Sequence, residues 1–240
     1  MFPLRDTVRS YTFPVVNWLF IVANAIVFLF EISLSPQALN RFILTFALVP
    51  VRLHIFQPAA LLQDPRPLVT LFTHMFLHGG WFHILSNMWV LYIFGDNIED
   101  RMGSVRYFLF YILSGLVAAL SQVLIAPNST QPALGASGAI AGVLGAYLLL
   151  YPRSRVITLI LLFFIPWFVE IPAIFFLGIW FITQLFSGIS SLGVQTASMG
   201  GVAWWAHIGG FIFGMLFYRL FTPRRHPAYS RQFPDEYWPW

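Results

Sequence analysis

Residues 135–151 read GASGAIAGVLGAYLLLY, an uncharged run that opens with a serine set between small residues. It is one of several apolar runs in a chain of 240 residues that is 58% hydrophobic and only 9% charged. In soluble domains about a quarter of the residues are charged, whereas a helix of about 20 apolar residues can cross a bilayer. The sequence therefore predicts an all-α, polytopic membrane protein and argues against a soluble enzyme.

Six apolar runs bounded by charges, Pro or Gly are predicted to span the membrane. In chain order they are 15–30, 81–94, 105–126, 137–151, 171–186 and 204–220. The stretch 156–169 is predicted to be an interfacial or partly re-entrant piece, with Glu170 near the start of the fifth helix. We expect one membrane domain over residues 1–240, with its core at about 13–221 and a cytoplasmic tail at 222–240.

All basic charge comes from arginine, and the arginines are unevenly divided between the loops. Ten fall on the side of the two termini, and three, Arg41, Arg52 and Arg66, fall on the other. The positive-inside rule then predicts that both termini are cytoplasmic, with outer loops at 32–80, 127–136 and 187–203. Because no signal or transit peptide is recognised before the first run, we expect a bacterial or archaeal plasma membrane.

Polar side chains within a span are costly and mark candidate sites, and Ser137 lies where a loop becomes the fourth helix. From Ser137 to Tyr151 this helix is about 22 Å long, shorter than a hydrocarbon core of about 30 Å. We therefore expect Ser137 below the outer surface, beside free backbone N–H groups that can stabilise an oxyanion. The alternative is an N-cap serine in a closely packed helix.

The sixth run holds His207 on one helical face with Gly210 and Gly214. The fourth run presents a similarly small face below Ser137, and two such faces allow helices to approach closely. His207 would then be within hydrogen-bonding reach of Ser137, where it can act as a general base. The alternative is a lone intramembrane histidine that is satisfied by a carbonyl group.

His83 and Asn87 lie at positions i and i+4 of the second run, on one helical face. Both can donate hydrogen bonds to an oxyanion. A metal site with His74 and His78 is the rival interpretation, but no carboxylate accompanies them and the His-Glu-x-x-His motif does not occur. The absence of cysteine excludes thiolate metal sites, and we expect no metal and no other cofactor.

Together these motifs resemble the rhomboid family of intramembrane serine proteases, over about residues 70–217. Each motif is weak alone, whereas their order and spacing are specific. The resemblance is carried by His78-Gly79-Gly80, His83 with Asn87, Glu99 with Arg101 and Gly103, Gly135-Ala136-Ser137-Gly138, and Ala206-His207-Ile208-Gly209-Gly210.

The resemblance implies a six-helix bundle in which Ser137 is the nucleophile and His207 its general base, as a dyad without a third carboxylate. His83, Asn87 and the backbone N–H of Ser137 would stabilise the oxyanion, and Gly135 would keep the approach to Ser137 open. The chain would be a serine endopeptidase that cleaves single-span membrane proteins in or beside their transmembrane segments, at a site that opens to the extracytoplasmic side. The fifth span would be its moving gate, and no nucleic-acid partner is expected.

Glu99, Arg101 and Gly103 are implied to be structural, in the cytoplasmic loop after the second span. The first outer loop is implied to be embedded in the membrane, although it lacks the Trp-Arg pair of some bacterial members. The chain also has Ala141 where some members place an aromatic ring on the catalytic histidine. Trp204 or Trp205 is the candidate replacement for that ring.

Two other functions remain open. A catalytically inactive rhomboid-like protein would bind membrane clients without cleaving them, although such relatives usually lack the serine or the histidine. A small transporter or channel would need polar residues through the whole membrane, whereas here they cluster at one depth. Substitution of Ser137 discriminates between these functions, because it would abolish proteolysis but only modulate binding or transport.

Overall fold

The computed structural model describes residues 2–53, 63–193 and 202–223. Residues 224–240 of the predicted tail and residues 194–201 of the predicted outer loop 187–203 lie outside these residues. Residues 187–193, the predicted start of that loop, are instead helical. The described α-helices are α1 (Val15–Ser33), α2 (Pro36–Phe46), α3 (Arg66–Thr73), α4 (Trp81–Met102), α5 (Ser104–Ile125), α6 (Ser137–Leu150), α7 (Ala173–Gly193) and α8 (Trp204–Phe221). Short 3-10 turns occupy Pro50–Leu53 and His74–Phe76, and strands occupy Phe2–Asp6 (β1), Arg155–Leu162 (β2) and Ile165–Pro172 (β3).

Three of the described helices are long and apolar enough to cross a membrane, namely α1, α5 and most of α7. The shorter α6 runs through the middle of the bundle, and every residue from Gly138 to Tyr147 is buried. A helix that is buried on all sides can be apolar around its whole circumference, which explains why α6 shows no polar face. The membrane character predicted from composition is therefore present in the fold.

Helix α4 continues to Met102, beyond the predicted end at residue 94, because its polar last turns are buried against the N-terminal segment. The Glu99 carboxylate accepts hydrogen bonds from the backbone N–H groups of Val16 (3.0 Å) and Asn17 (2.7 Å). It also accepts one from the hydroxyl of Ser104, at 2.6 Å. Glu99 thus accepts hydrogen bonds from backbone N–H groups at the start of α1 that have no partner within that helix. It links α1, α4 and α5, a wider structural role than the expected packing of one loop.

The all-α prediction is wrong for one part of the chain, because β1, β2 and β3 form an antiparallel sheet in that order. Residues 156–169, predicted to be interfacial or re-entrant, are most of a β-hairpin. Glu170 lies in β3, where its carboxylate pairs with Arg155 at 2.9 Å, and not at the start of the fifth helix. That helix, α7, begins only at Ala173.

The residue types of this hairpin explain the error. The segment is rich in β-branched and aromatic residues, which favour strands, but its continuous apolar character also fits a membrane segment. Its two-residue turn is Phe163-Phe164, both with positive φ, and not the Asn-Gly or Asp-Gly pair that usually marks such a turn. The turn therefore could not be recognised from the sequence.

Glycines bring α6 and α8 into backbone contact. A Cβ on Gly210 would lie 2.0 Å from the carbonyl oxygen of Gly138, and a Cβ on Gly214 would lie 2.0 Å from that of Gly142. A Cβ on Gly145 would lie 2.2 Å from the carbonyl oxygen of Phe211. The close approach predicted from the two small faces is confirmed, and it sets the separation of the polar residues at their N-terminal ends.

Candidate active site

Ser137 and His207 meet at the N-terminal ends of α6 and α8. The Ser137 Oγ lies 2.7 Å from Nε2 of His207, a hydrogen-bonding distance. Ser137 is the first residue of α6, and His207 lies in the first turn of α8. The glycine contacts further along the two helices hold the backbones close enough for these side chains to touch. The arrangement is that of a nucleophile and its base.

Gly135 separates this pair from the two other predicted site residues. Its φ is +122°, a conformation that side chains rarely adopt. A Cβ at this position would lie 2.7 Å from Nε2 of His83 and 3.6 Å from Nδ2 of Asn87. The backbone N–H of Gly135 donates to the His74 carbonyl at 2.9 Å, which holds the loop in place. The missing side chain thus leaves His83 and Asn87 room beside the loop that leads to Ser137.

The hydrogen bonds of His83 determine which of its nitrogens carries the proton. The backbone N–H of Gly79 donates to Nδ1 at 3.3 Å, so Nδ1 must be the acceptor. In a neutral imidazole the other nitrogen, Nε2, is then the N–H donor. The Nδ2 of Asn87 is buried and has no hydrogen-bond partner among the described residues. Two N–H donors therefore converge beside Gly135, as an oxyanion site requires.

His78 packs against His83 from the loop that precedes α4. The two rings are perpendicular, with centroids 5.1 Å apart, and the backbone N–H of His78 donates to the Glu31 carboxylate at 3.2 Å. Burial, with a smaller contribution from His83, lowers the pKa of His78 to about 3. His78 is therefore neutral at physiological pH and supports the His83 ring without adding charge.

Gly79 and Gly80 separate the turn at His74–Phe76 from helix α4. A 3-10 turn ends at Phe76, Gly80 has a φ of +150°, and α4 begins at Trp81. The His74 ring is turned away from His83, since its Nδ1 lies 2.9 Å from the Thr70 carbonyl. Among the residues that the structure describes, no group of three or more His, Asp or Glu side chains is placed to hold a metal ion.

Two tryptophans flank His207 where Ala141 provides no ring. The Trp204 ring meets it edge-on, and the Trp180 ring is tilted over it, each with centroids 6.1 Å apart. Trp204 was one of the two candidates from the sequence. Trp180, on α7, was not foreseen, because nothing in a single sequence indicates which face of α7 meets α8.

A polar residue that the sequence analysis overlooked also contacts the site. The Oε1 of Gln184, on α7, lies 2.8 Å from Nδ1 of His207, and Gln184 is buried. A signal existed, because an amide within an otherwise apolar span requires a partner. The predicted dyad, defined by the lack of a third carboxylate, left out a neutral amide in that role.

A family model and several known proteins resemble this chain. A family model described as the Rhomboid domain matches residues 65–224. RHOMBOID-like protein 1 of Arabidopsis thaliana is 34% identical over 162 residues, which cover 68% of this chain and 36% of that protein. Rhomboid protein 1, mitochondrial, of Saccharomyces cerevisiae is 30% identical over 146 residues, which cover 59% of this chain and 38% of that protein.

Presenilin-associated rhomboid-like protein, mitochondrial, of Bos taurus is 27% identical over 173 residues, which cover 69% of this chain and 40% of that protein. The chain thus spans well under half the length of these three relatives. Two of them are named as mitochondrial, which differs from the plasma-membrane location expected from the sequence. The range matched by the family model includes Ser137, His207, His83, Asn87 and Gln184.

Proposed function

The chain belongs to the rhomboid family, and we propose that it is an intramembrane serine endopeptidase with Ser137 as the nucleophile and His207 as the general base. One observation carries the proposal, the 2.7 Å contact between Ser137 Oγ and His207 Nε2. A lone N-cap serine needs no imidazole partner, and a structural histidine would be satisfied by a carbonyl.

The reaction follows the usual course of acyl transfer. Nε2 of His207 takes the hydroxyl proton as Oγ attacks the carbonyl carbon of the scissile peptide bond. The negative charge on the carbonyl oxygen is stabilised by the Nε2–H of His83, the Nδ2–H of Asn87 and the backbone N–H of Ser137. The imidazolium then protonates the leaving amine, and water, activated by the same nitrogen, hydrolyses the acyl-enzyme.

The proposed substrates are single-span membrane proteins, cut in or beside their transmembrane segments. A helix keeps its carbonyl groups in its own hydrogen bonds, so the substrate must unwind locally before attack. Small or helix-breaking residues near the scissile bond lower the free energy of this unwinding. Entry past α7 is supported by its loose packing, because α7 is the least buried of the three long apolar helices.

We further propose six spans, with α4, α6 and α8 added to the three long apolar helices, and both termini on the cytoplasmic side. The uneven distribution of arginines supports this orientation. Because the chain lacks cysteine, single cysteine substitutions can report on which side of the membrane a residue lies. Ser129→Cys should react with an impermeant maleimide in intact cells, whereas Thr7→Cys should react only after permeabilisation. The reverse pattern would contradict the orientation.

The proposed location is a plasma membrane, and expression of the chain in its own host followed by membrane fractionation tests it. Enrichment with plasma-membrane markers is the expected result. Enrichment with an organelle membrane, as the names of two relatives suggest for those proteins, would overturn this location and leave the proposed chemistry unchanged.

The deciding experiment is covalent labelling of the purified protein in mild detergent with a fluorescent fluorophosphonate. We expect labelling of the wild type, and none of Ser137→Ala or His207→Ala. Asn87→Ala should label about 100- to 1,000-fold more slowly, because one oxyanion donor is lost. Ser86→Ala is the matched control on the same helix, since its hydroxyl bonds the His83 carbonyl at 3.0 Å and not the reacting group.

Absence of labelling in all of these proteins, with circular dichroism showing that they are folded, would reject the protease. The catalytically inactive, client-binding alternative would then be the better function. Its test is crosslinking of membrane clients in cells, which should persist in Ser137→Ala.

A further inference from the structure

We propose that Gln184 is a positioning residue that holds His207 in the tautomer required of the base. The proposed reaction centre then consists of Ser137, His207 and the positioning residue Gln184. The inference rests on the proposed function, because it assigns a role within the same site. Its basis is a continuous line of hydrogen bonds, with 2.7 Å between Ser137 Oγ and His207 Nε2 and 2.8 Å between His207 Nδ1 and Gln184 Oε1.

The orientation of the Gln184 amide follows from the groups at its other end. Its Nε2 lies 3.2 Å from the hydroxyl of Thr183 and 3.4 Å from the carbonyl oxygen of Trp180. A carbonyl oxygen can only accept. The Thr183 hydroxyl already donates its hydrogen to that same carbonyl at 2.6 Å, so it can only accept from Gln184. Both neighbours require the NH2 group, and Oε1 must therefore face His207.

The amide orientation determines the histidine tautomer. Because Oε1 accepts but cannot donate, Nδ1 of His207 must carry the hydrogen. A neutral imidazole has a single N–H, so Nε2 presents its lone pair. That lone pair faces the Ser137 hydroxyl, as a general base requires. The other tautomer would direct an N–H at Ser137 and a lone pair at the lone pair of Gln184.

A neutral amide suits the depth of this site. Gln184 is only 7% exposed, within a helix apolar enough to span the bilayer. A carboxylate there would have to be desolvated, which is costly within a membrane. The amide selects the tautomer without a buried charge, although it stabilises the imidazolium less than a carboxylate would. It also limits rotation of the His207 ring where Ala141 offers no stacking partner.

The test measures the second-order rate constant of fluorophosphonate labelling for the full chain, from pH 5 to pH 9. Gln184→Leu removes the acceptor and should label about 10- to 100-fold more slowly than the wild type. Gln184→Glu keeps an acceptor and adds a charge that stabilises the imidazolium, so its rate should stay within about tenfold of the wild type. The pH at which its rate reaches half of the maximum should rise. His83 interacts electrostatically with His207 and is unchanged in both variants.

Ser191→Ala is the control on the same helix, because its hydroxyl bonds the Gly188 carbonyl and not His207. Wild-type labelling with equally fast labelling of Gln184→Leu would overturn the role of Gln184 and leave the protease standing. Equal losses in Gln184→Leu and Gln184→Glu, with an unshifted pH profile in folded protein, would also overturn it, because packing alone would explain both. Loss of wild-type labelling would instead reject the proposed function itself.

Discussion

The backbones of Gly138 and Gly210 are in direct contact, since a Cβ on Gly210 would lie 2.0 Å from the carbonyl oxygen of Gly138. No real Cβ can occupy that position, so any larger residue must push α6 and α8 apart. The contact lies one residue from Ser137 and three from His207. The separation of the proposed catalytic pair is therefore controlled by residues that take no part in the chemistry.

We predict that Gly210→Val abolishes fluorophosphonate labelling, because the helices separate and the 2.7 Å contact between Ser137 and His207 is lost. Labelling gels and thermal unfolding in detergent provide the measurement. Gly178→Ala is the matched control, since a Cβ at Gly178 on α7 meets nothing within 4 Å. That variant should label normally. Normal labelling of a folded Gly210→Val protein would show that the glycine contact does not position the dyad.

Gly135→Ala should slow labelling at least about tenfold, since its Cβ would lie 2.7 Å from His83 Nε2 and displace an oxyanion donor. Gly103→Ala is the control for backbone strain. Gly103 also has a positive φ, +80°, but a Cβ there meets nothing within 4 Å. It should lower stability by about 1–3 kcal/mol and leave the labelling rate unchanged. Equal labelling rates in the two folded variants would remove the steric explanation.

The structure predicts a pH-dependent contribution to stability from Asp6, on β1. Its carboxyl accepts hydrogen bonds from the Tyr147 hydroxyl and from Nδ2 of Asn97, and burial raises its pKa from 3.8 to about 7. Between about pH 4 and pH 7 the folded protein holds a proton that the unfolded chain has released. Stability from this group therefore falls as the pH rises through that window.

Asp6→Asn mimics the protonated carboxyl and removes this titration. Melting temperatures in detergent should decline less between pH 5 and pH 8 in Asp6→Asn than in the wild type. At pH 8 the variant should melt at least about 2 °C higher. Equal changes in the melting temperatures of the two proteins between pH 5 and pH 8 would show that Asp6 is ionised in the folded protein.

A disulfide between α7 and α8 can test the gate. A Cβ on Gly188 would lie 3.6 Å from that of Trp204, within the range of about 3.5–4.5 Å for disulfides, and no native cysteine competes. The oxidised Gly188→Cys, Trp204→Cys protein should label with a small fluorophosphonate but fail to cleave a transmembrane substrate. Reduction should restore cleavage to the level of the Trp204→Cys single variant. Undiminished cleavage by the locked form would show that α7 need not move.

Several elements could be predicted from the sequence alone, because the residues that mark them are neighbours in the chain. The starts of α4, α6 and α8 at Trp81, Ser137 and Trp204 are marked by glycines or small residues before apolar runs. The juxtaposition of Ser137 and His207 followed from two small helical faces, since only glycine-lined helices pack closely enough to join such short side chains. The pair His83 and Asn87 followed from the periodicity of one helix.

What the sequence could not determine depends on contacts between distant segments. Residues 155–172 are largely apolar, which fits either a membrane segment or a β-hairpin. Pairing with the N-terminal strand decides in favour of the hairpin. Glu99 caps α1 from 82 residues away. Gln184 faces His207 only because of the rotation of α7 against α8. Helical periodicity shows which residues share one face of a helix, but tertiary packing decides which face meets the site.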